Sequence, residues 1–304
     1  MKIQKYGAID IGSNAVRLLI ATIIERDGQQ TIFKKTSLVR VPIRLGEDVF
    51  QHKNITEENM LRLIDTMNAF KLLMKSHKVA KYRACATSAM REAENGKEIV
   101  NKIYKKTAIS IQVIDGNDEA AIIASTDIKD LIMVDKTFLY VDVGGGSTEF
   151  TIFSNGNTIT SKSFRLGTVR LLNNMVSDTI WEEVEEWIKK ETKHYSKISL
   201  IGSGGNINSI FKQSGKALGK SLSYIYLANY FELIQNYSYE ERVVEMDMNP
   251  DRADVIIHAT RIYLSAMKWS KARKILVPKI GLSDGIIKSL YKEELAKDIE
   301  ISSS

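Results

Sequence analysis

The residues with the clearest chemical promise lie in one run, Asp142-Val143-Gly144-Gly145-Gly146-Ser147-Thr148-Glu149. Glycine lets backbone N–H groups converge with no side chain in the way, so Gly144, Gly145 and Gly146 can line an anion pocket. Ser147 and Thr148 add hydroxyl donors. Taken alone, such a turn is as often a plain hairpin connection. The flanking acids shift that balance. Carboxylates at Asp142 and Glu149, beside a phosphate cradle, make sense with a cation between them. Mg2+ takes one or two carboxylates together with waters and phosphate oxygens. The set reads as a Mg2+–phosphate site.

Asp10-Ile11-Gly12-Ser13-Asn14 is a smaller version of the same device. Ser13 and Asn14 can donate to phosphate, Asp10 can hold metal or water, and Arg17 follows on the next strand, where the bland alternative is a surface cation. A third cluster, Gly202-Ser203-Gly204-Gly205-Asn206, stands between a strand and a helix, with Asn206 or Asn208 as the cap. That order aims a helix N-terminus at an anion, although a tight connection explains it as well. Thr87, Ser88 and Arg91 also follow a strand and suit phosphate oxygens. Finally, Asp115-Gly116-Asn117-Asp118-Glu119-Ala120 opens a helix with Asn117 as its expected cap. Asp118 and Glu119 are ordinary dipole partners there. Either could instead be the base that deprotonates an attacking water.

Two sets of elements must position these residues. Tyr6–Ile9 and Ala15–Ile24 read as strands around the first turn, with a third strand near Thr31–Arg40. Thr56 caps an expected helix with Glu57 and Glu58 in its first turn and Met60, Ile64, Met67 and Met74 as its core face. Phe138–Val141 and Phe150–Phe153 flank the second turn, and a helix opening at Asp178 presents Trp181, Val184 and Ile188. The two openings match in kind and stand 132 residues apart, from Asp10 to Asp142, as an ancient duplication would leave them. The expected domains are 1–124 and 125–304, with the boundary near 124–136 and a last helix at about 284–298 crossing back onto the first. Two such α/β domains facing each other would put both turns at a cleft.

Composition sets outer limits. The 304 residues suit two domains, 44% are hydrophobic, and no run approaches the length of a membrane span. The N-terminus leads straight into a strand without an apolar signal region, so the expected location is the cytoplasm and no membrane partner is expected. The single cysteine, Cys85, reads as a core residue. A net charge of +6 favours polyanionic ligands. The basic residues are scattered, so nucleic acid is not expected. His52, His77 and His194 sit in polar stretches, and His258 lies on an apolar helix as a core histidine.

Together these motifs resemble the exopolyphosphatase/guanosine-pentaphosphate phosphohydrolase family of the actin/hexokinase superfamily. The resemblance covers nearly the whole chain and includes Asn249-Pro250-Asp251-Arg252-Ala253-Asp254. It implies an α/β fold of two ribonuclease-H-like (actin-like ATPase) domains with the site in the interdomain cleft. It implies that Glu119 is the catalytic base and that Asp142 and Glu149 are metal- and water-binding acids. Ser13, Asn14, Arg91, Gly145, Gly146 and Ser147 match its phosphate-contacting positions. The implied substrate is inorganic polyphosphate or, second, guanosine pentaphosphate, with Mg2+ as cofactor and a homodimer as assembly. A regulator that binds these polyanions without turnover and an actin-like sugar kinase are the other classes. Asn206 stands where the family often has Thr, and Asp284 stands near a place where many relatives carry a basic residue. Longer relatives append a helical region that helps hold long polyphosphate. Without it, short chains are the expected substrate.

Overall fold

The computed structural model describes residues 1–124, 126 and 136–303. The chain divides into two compact units, the first formed by 1–126 and 282–304, the second by 127–281. The boundary expected at 124–136 falls mostly outside the described residues.

Unit 1 is built on five strands, β1 (Lys2–Ile11), β2 (Val16–Glu25), β3 (Ile32–Val41), β4 (Lys81–Ala86) and β5 (Ile111–Val113). Their order in the sheet is β3-β2-β1-β4-β5. The first three form an antiparallel meander, while β4 runs parallel to β1 and β5 parallel to β4. β1 is buried from Tyr6 to Ile11, as a central strand covered on both faces must be. β3 is an edge strand with no fully buried residue.

The helices of unit 1 are α1 (Leu45–His52), α2 (Glu57–Ser76), α3 (Ser88–Glu92), α4 (Gly96–Thr107), α5 (Gly116–Ala124) and, from the chain end, α13 (Leu282–Ser303). Thr56 caps α2, its side chain accepting from the Asn59 N–H at 3.3 Å. The buried face of α2 is Leu63, Thr66, Met67, Phe70 and Met74. Met60 and Ile64 are only partly covered, so the core stripe is rotated from the one expected. Leu63, Met67, Phe70 and Met74 recur at helical spacing, so this face, centred on the fully buried Phe70, is the one turned to the core. α13 docks through a Lys35–Asp284 ion pair at 2.8 Å, Arg83–Glu293, and Tyr291 edge-on against Phe33.

Unit 2 repeats the plan. β6 (Thr137–Val143), β7 (Thr148–Ser154) and β8 (Asn157–Phe164) form the meander, and β9 (Ile198–Ser203) runs parallel to β6. β10 (Ser221–Ser223) and β11 (Lys274–Leu276) extend the sheet, giving the order β10-β11-β9-β6-β7-β8. The helices are α6 (Thr168–Leu172), α7 (Asp178–Thr192), α8 (Gly205–Gln213), α9 (Tyr224–Gln235), α10 (Tyr239–Val244), α11 (Pro250–Ala253) and α12 (Ile256–Trp269). Val184 and Ile188 of α7 enter the core, and Trp181 packs against its margin. Both sheets therefore share the ribonuclease-H-like order of a three-stranded meander followed by parallel strands. Among the described residues no helix is long and apolar enough to cross a membrane.

Candidate active site

In both units the glycine turn connects the first two strands, at the carboxyl end of the strand that also has a parallel neighbour. That is where open α/β sheets bind ligands. In unit 2 the turn closes with a Gly144 N–H to Ser147 carbonyl bond of 2.9 Å, and in unit 1 the same bond joins Gly12 to Ala15 at 3.1 Å.

What orients the turn of unit 2 is the segment after β8. Thr168 N–H donates to the Gly144 carbonyl at 3.0 Å, Val169 N–H to Gly145 at 2.9 Å, and the Arg170 Nε to Gly146 at 2.7 Å. A planar trans peptide points its N–H opposite to its carbonyl. Three consecutive carbonyls held on one side thus turn the N–H groups of Gly145, Gly146 and Ser147 to the other. Consecutive amides presented this way form an anion-binding concavity. Unit 1 has a shorter form, in which Gly46 N–H holds the Ser13 carbonyl at 2.8 Å and Arg44 N–H holds that of Asn14 at 3.1 Å. The contact in unit 2 is close: a Cβ on Gly167 would lie 2.3 Å from the Gly145 oxygen.

The acids occupy matched positions with opposite partners. Asp10 faces Arg17 across the β1–β2 ladder, and their ion pair measures 3.2 Å. Burial pushes the Asp10 carboxyl above its ordinary pKa, and Arg17 pulls it back down. Asp142 faces Glu149 across the β6–β7 ladder at the equivalent register. Like charges directly opposed destabilise a sheet. Glu149 is buried, and one of its oxygens accepts from Ser147 Oγ at 2.6 Å and Ser163 Oγ at 2.8 Å. Asp142 accepts from the buried Tyr140 hydroxyl at 3.4 Å. The turn after β9 lies beside it: Gly204, at φ 107°, leaves room where a Cβ would stand 3.3 Å from Asp142 Oδ1. The Tyr263 hydroxyl holds the Ser203 carbonyl there. Tyr140 and Tyr263 are pushed well above the ordinary phenol range, first by burial and then by the Asp142 charge.

The other expected residues are placed as follows. Ser13 Oγ and Ser88 Oγ are 2.9 Å apart, which brings the first turn and the start of α3 together. Arg91 donates to the Ile114 carbonyl at 2.6 Å, leaving further guanidinium N–H groups on an exposed residue. At α5 the cap is Asp115, not Asn117, with its carboxylate accepting from Asp118 N–H at 2.8 Å. An acid one residue before the helix reaches the amide three positions on, as an N-cap does. Asp118 in turn reaches back to the Asp115 N–H at 3.4 Å. Glu119 is half-buried. Buried Cys85, the ladder partner of Asp10, has its thiol pushed up to about 12 by burial, and the charges of Asp10, Glu119 and Asp118 add to the rise. These carboxylates therefore gather around the ends of β1 and β4. Neither Asn206 nor Asn208 caps α8: its first position outside is Gly204, which has no side chain to offer.

Gly167, Thr168, Arg170 and Ser163 were not evident from the sequence. A signal for the first existed, since Arg44-Leu45-Gly46 recurs as Arg165-Leu166-Gly167, each after a third strand.

The sequence model of the Ppx/GppA phosphatase family matches residues 22–294. The chain belongs to that family. It is 32% identical over 284 residues to the bifunctional 3-dehydroquinate synthase/phosphatase of Fusobacterium nucleatum, covering 84% of this chain and 42% of that one. Exopolyphosphatase 1 of Mycobacterium tuberculosis is 29% identical over 175 residues, 58% of this chain and 50% of its own. The chain thus spans about half the length of these curated relatives or less. The crystal structure of an exopolyphosphatase from Cytophaga hutchinsonii superposes with a TM-score of 0.84 at 25% identity, over 95% of this chain and 98% of that one.

Among the described residues no three His, Cys, Asp or Glu side chains form a group that could hold a metal ion. What unit 2 offers is a pair, Asp142 and Glu149, in opposed register. A pair fits Mg2+, which completes its shell with waters and phosphate oxygens, better than a cation needing an all-protein cage. Asp10 belongs to the other unit and is paired with Arg17.

Proposed function

We propose that the protein hydrolyses the terminal phosphoanhydride of inorganic polyphosphate. One observation carries this reading: three loop carbonyls held on one face beside two opposed carboxylates. The amides of Gly145, Gly146 and Ser147 bind the terminal phosphoryl oxygens. In unit 1 the amide of Asn14 and the remaining donors of Arg91 are the corresponding phosphate donors. Asp142 and Glu149 would hold Mg2+, which when bound neutralises charge on the phosphate and stabilises its transfer. Ser147 and Ser163 orient Glu149 by donating to it.

Glu119 takes the proton from the attacking water. The geometry of α5 supports it over Asp118, whose carboxylate reaches back to the helix start. A positioned base contributes roughly 100- to 10,000-fold in rate. Glu119→Gln should then lose phosphate release by at least about 100-fold while binding tripolyphosphate as the wild type does. Release at the wild-type rate from a correctly folded variant would remove Glu119 from this role. Phosphate release from short polyphosphate, long polyphosphate, guanosine pentaphosphate and ATP, with binding measured in parallel, identifies the substrate. Binding without release by the wild type would mark a regulator instead.

A further inference from the structure

We infer that Arg170 is a positioning residue for the phosphate loop, acting through the peptide group between Gly146 and Ser147. The inference rests on the proposed reading of Gly144–Ser147 as the phosphate site. Arg170 lies on the short helix α6, is 6% exposed, and touches the loop from the side away from its amides. Its Nε donates to the Gly146 carbonyl at 2.7 Å, while its own main-chain N–H lies 3.4 Å from the Gly145 carbonyl. The comparison between the repeats gives this bond its meaning. Gly144 and Gly145 have their carbonyls held by main-chain amides, as do Ser13 and Asn14 in unit 1. Gly146 takes a side chain. It is also a residue whose backbone, without a Cβ, has more conformations open to it than any other. The guanidinium is therefore the element that selects, among those conformations, the one in which the Ser147 N–H faces the ligand.

A guanidinium is suited to this. It stays protonated at all relevant pH and donates in fixed directions, so the peptide it holds keeps one orientation. The same buried positive charge lies under the loop and favours an anion above it.

The test uses Arg170→Met, similar in length without a donor, and Arg170→Lys, which keeps charge and a donor without the planar fork. Tripolyphosphate with Mg2+ is the probe. Losing a charge-assisted bond to the loop should raise both Kd and KM in Arg170→Met by about tenfold or more. Arg170→Lys should recover part of that loss. Amide hydrogen exchange across 143–148 in ligand-free protein should accelerate in Arg170→Met, and this readout needs no substrate. A merely structural role would lower the melting temperature and the folded fraction but leave Kd unchanged in the folded material. A folded Arg170→Met with wild-type Kd and wild-type loop exchange overturns the inference. Should Arg170→Met not fold, Arg170→Lys decides, because wild-type values for it in both measurements overturn the inference equally. If the wild type neither binds nor hydrolyses tripolyphosphate, the proposed function fails, and loop exchange alone still judges Arg170.

Discussion

Asp142→Asn tests the claim that unit 2 carries a cation site. Asp142 and Glu149 are ladder partners, so their Cβ atoms stand about 4.5–5.5 Å apart. Two unit charges about 5 Å apart repel by about 0.8 kcal/mol in bulk water and about 3 kcal/mol at an effective dielectric near 20. Asp142 is partly exposed and Glu149 buried, so the pair belongs between these limits. Asn is chosen at 142 because it keeps an acceptor for the Tyr140 hydroxyl and removes only the charge. Changing Glu149 would disturb the hydroxyls of Ser147 and Ser163 as well. In EDTA the variant should therefore be more stable than the wild type by roughly 1–3 kcal/mol, at about 2–4 °C per kcal/mol in a unit of this size. Mg2+ reverses the order. A ligand at 100 times its Kd stabilises by about 2.7 kcal/mol, and only the wild type should gain that increment. The assay is thermal unfolding in EDTA and across a Mg2+ titration, at low salt so that screening does not erase the repulsion. A variant that is less stable in EDTA, or that gains as much from Mg2+ as the wild type, would refute the reasoning.

Two further predictions concern neighbouring parts of the site. Gly167→Ala places a Cβ 2.3 Å from the Gly145 oxygen and 2.4 Å from the Gly146 carbonyl carbon, both main chain. It should cost about 2–3 kcal/mol in urea unfolding and abolish phosphate release. Gly281→Ala, whose nearest contact would be 3.9 Å, should be close to neutral in both assays. Cys85, raised from 9.0 to about 12, should resist thiol reagents at neutral pH until urea exposes it. Because its folded pKa is the higher one, its contribution to stability is fully present below pH 9.0 and is lost as pH rises through about 12. The wild type should therefore lose more stability over that window than Cys85→Ala does, and rapid labelling of the folded protein at neutral pH would contradict the assignment.

The turns were legible because their chemistry is local. Asp142 to Glu149 and Asp10 to Asn14 announce strand, glycine turn and strand within a few residues, and the structure builds them so. The cap of α2 at Thr56 was legible for the same reason. What stayed hidden depends on contacts between segments far apart in the chain. Arg170 acts on Gly146 across 24 residues, and Ser163 reaches Glu149 only because β8 pairs with β7. The stripe of α2 was only half placed, because Leu63 and Phe70 join Met67 and Met74 on the buried face while Met60 and Ile64 are only partly covered. At α5 the expected cap was Asn117, and the cap is Asp115, fixed by one hydrogen bond from the Asp118 N–H that the sequence pattern does not announce.

The two hairpins are equivalent in register but differ in charge. Positions 10 and 142 are equivalent, as are 17 and 149, seven residues further on in each case. In unit 1 the opposed pair is an acid and an arginine at 3.2 Å, a neutral combination that needs no ion. In unit 2 it is two acids in opposed register, a repulsion that a bound cation would relieve. The glycines follow the same division. Unit 2 spends three consecutive ones where unit 1 has Gly12 followed by Ser13 and Asn14, whose side chains supply donors as well as the backbone. A backbone-only turn beside an acid pair suits a small, highly charged terminal phosphoryl group, which needs close approach and a metal. A turn with side-chain donors and an internally neutralised acid suits a phosphate that is held without a metal. If this division is right, replacing Arg17 with Met should weaken tripolyphosphate binding while leaving the Mg2+ increment of unit 2 unchanged, and a loss of that increment would show that the two hairpins do not act separately.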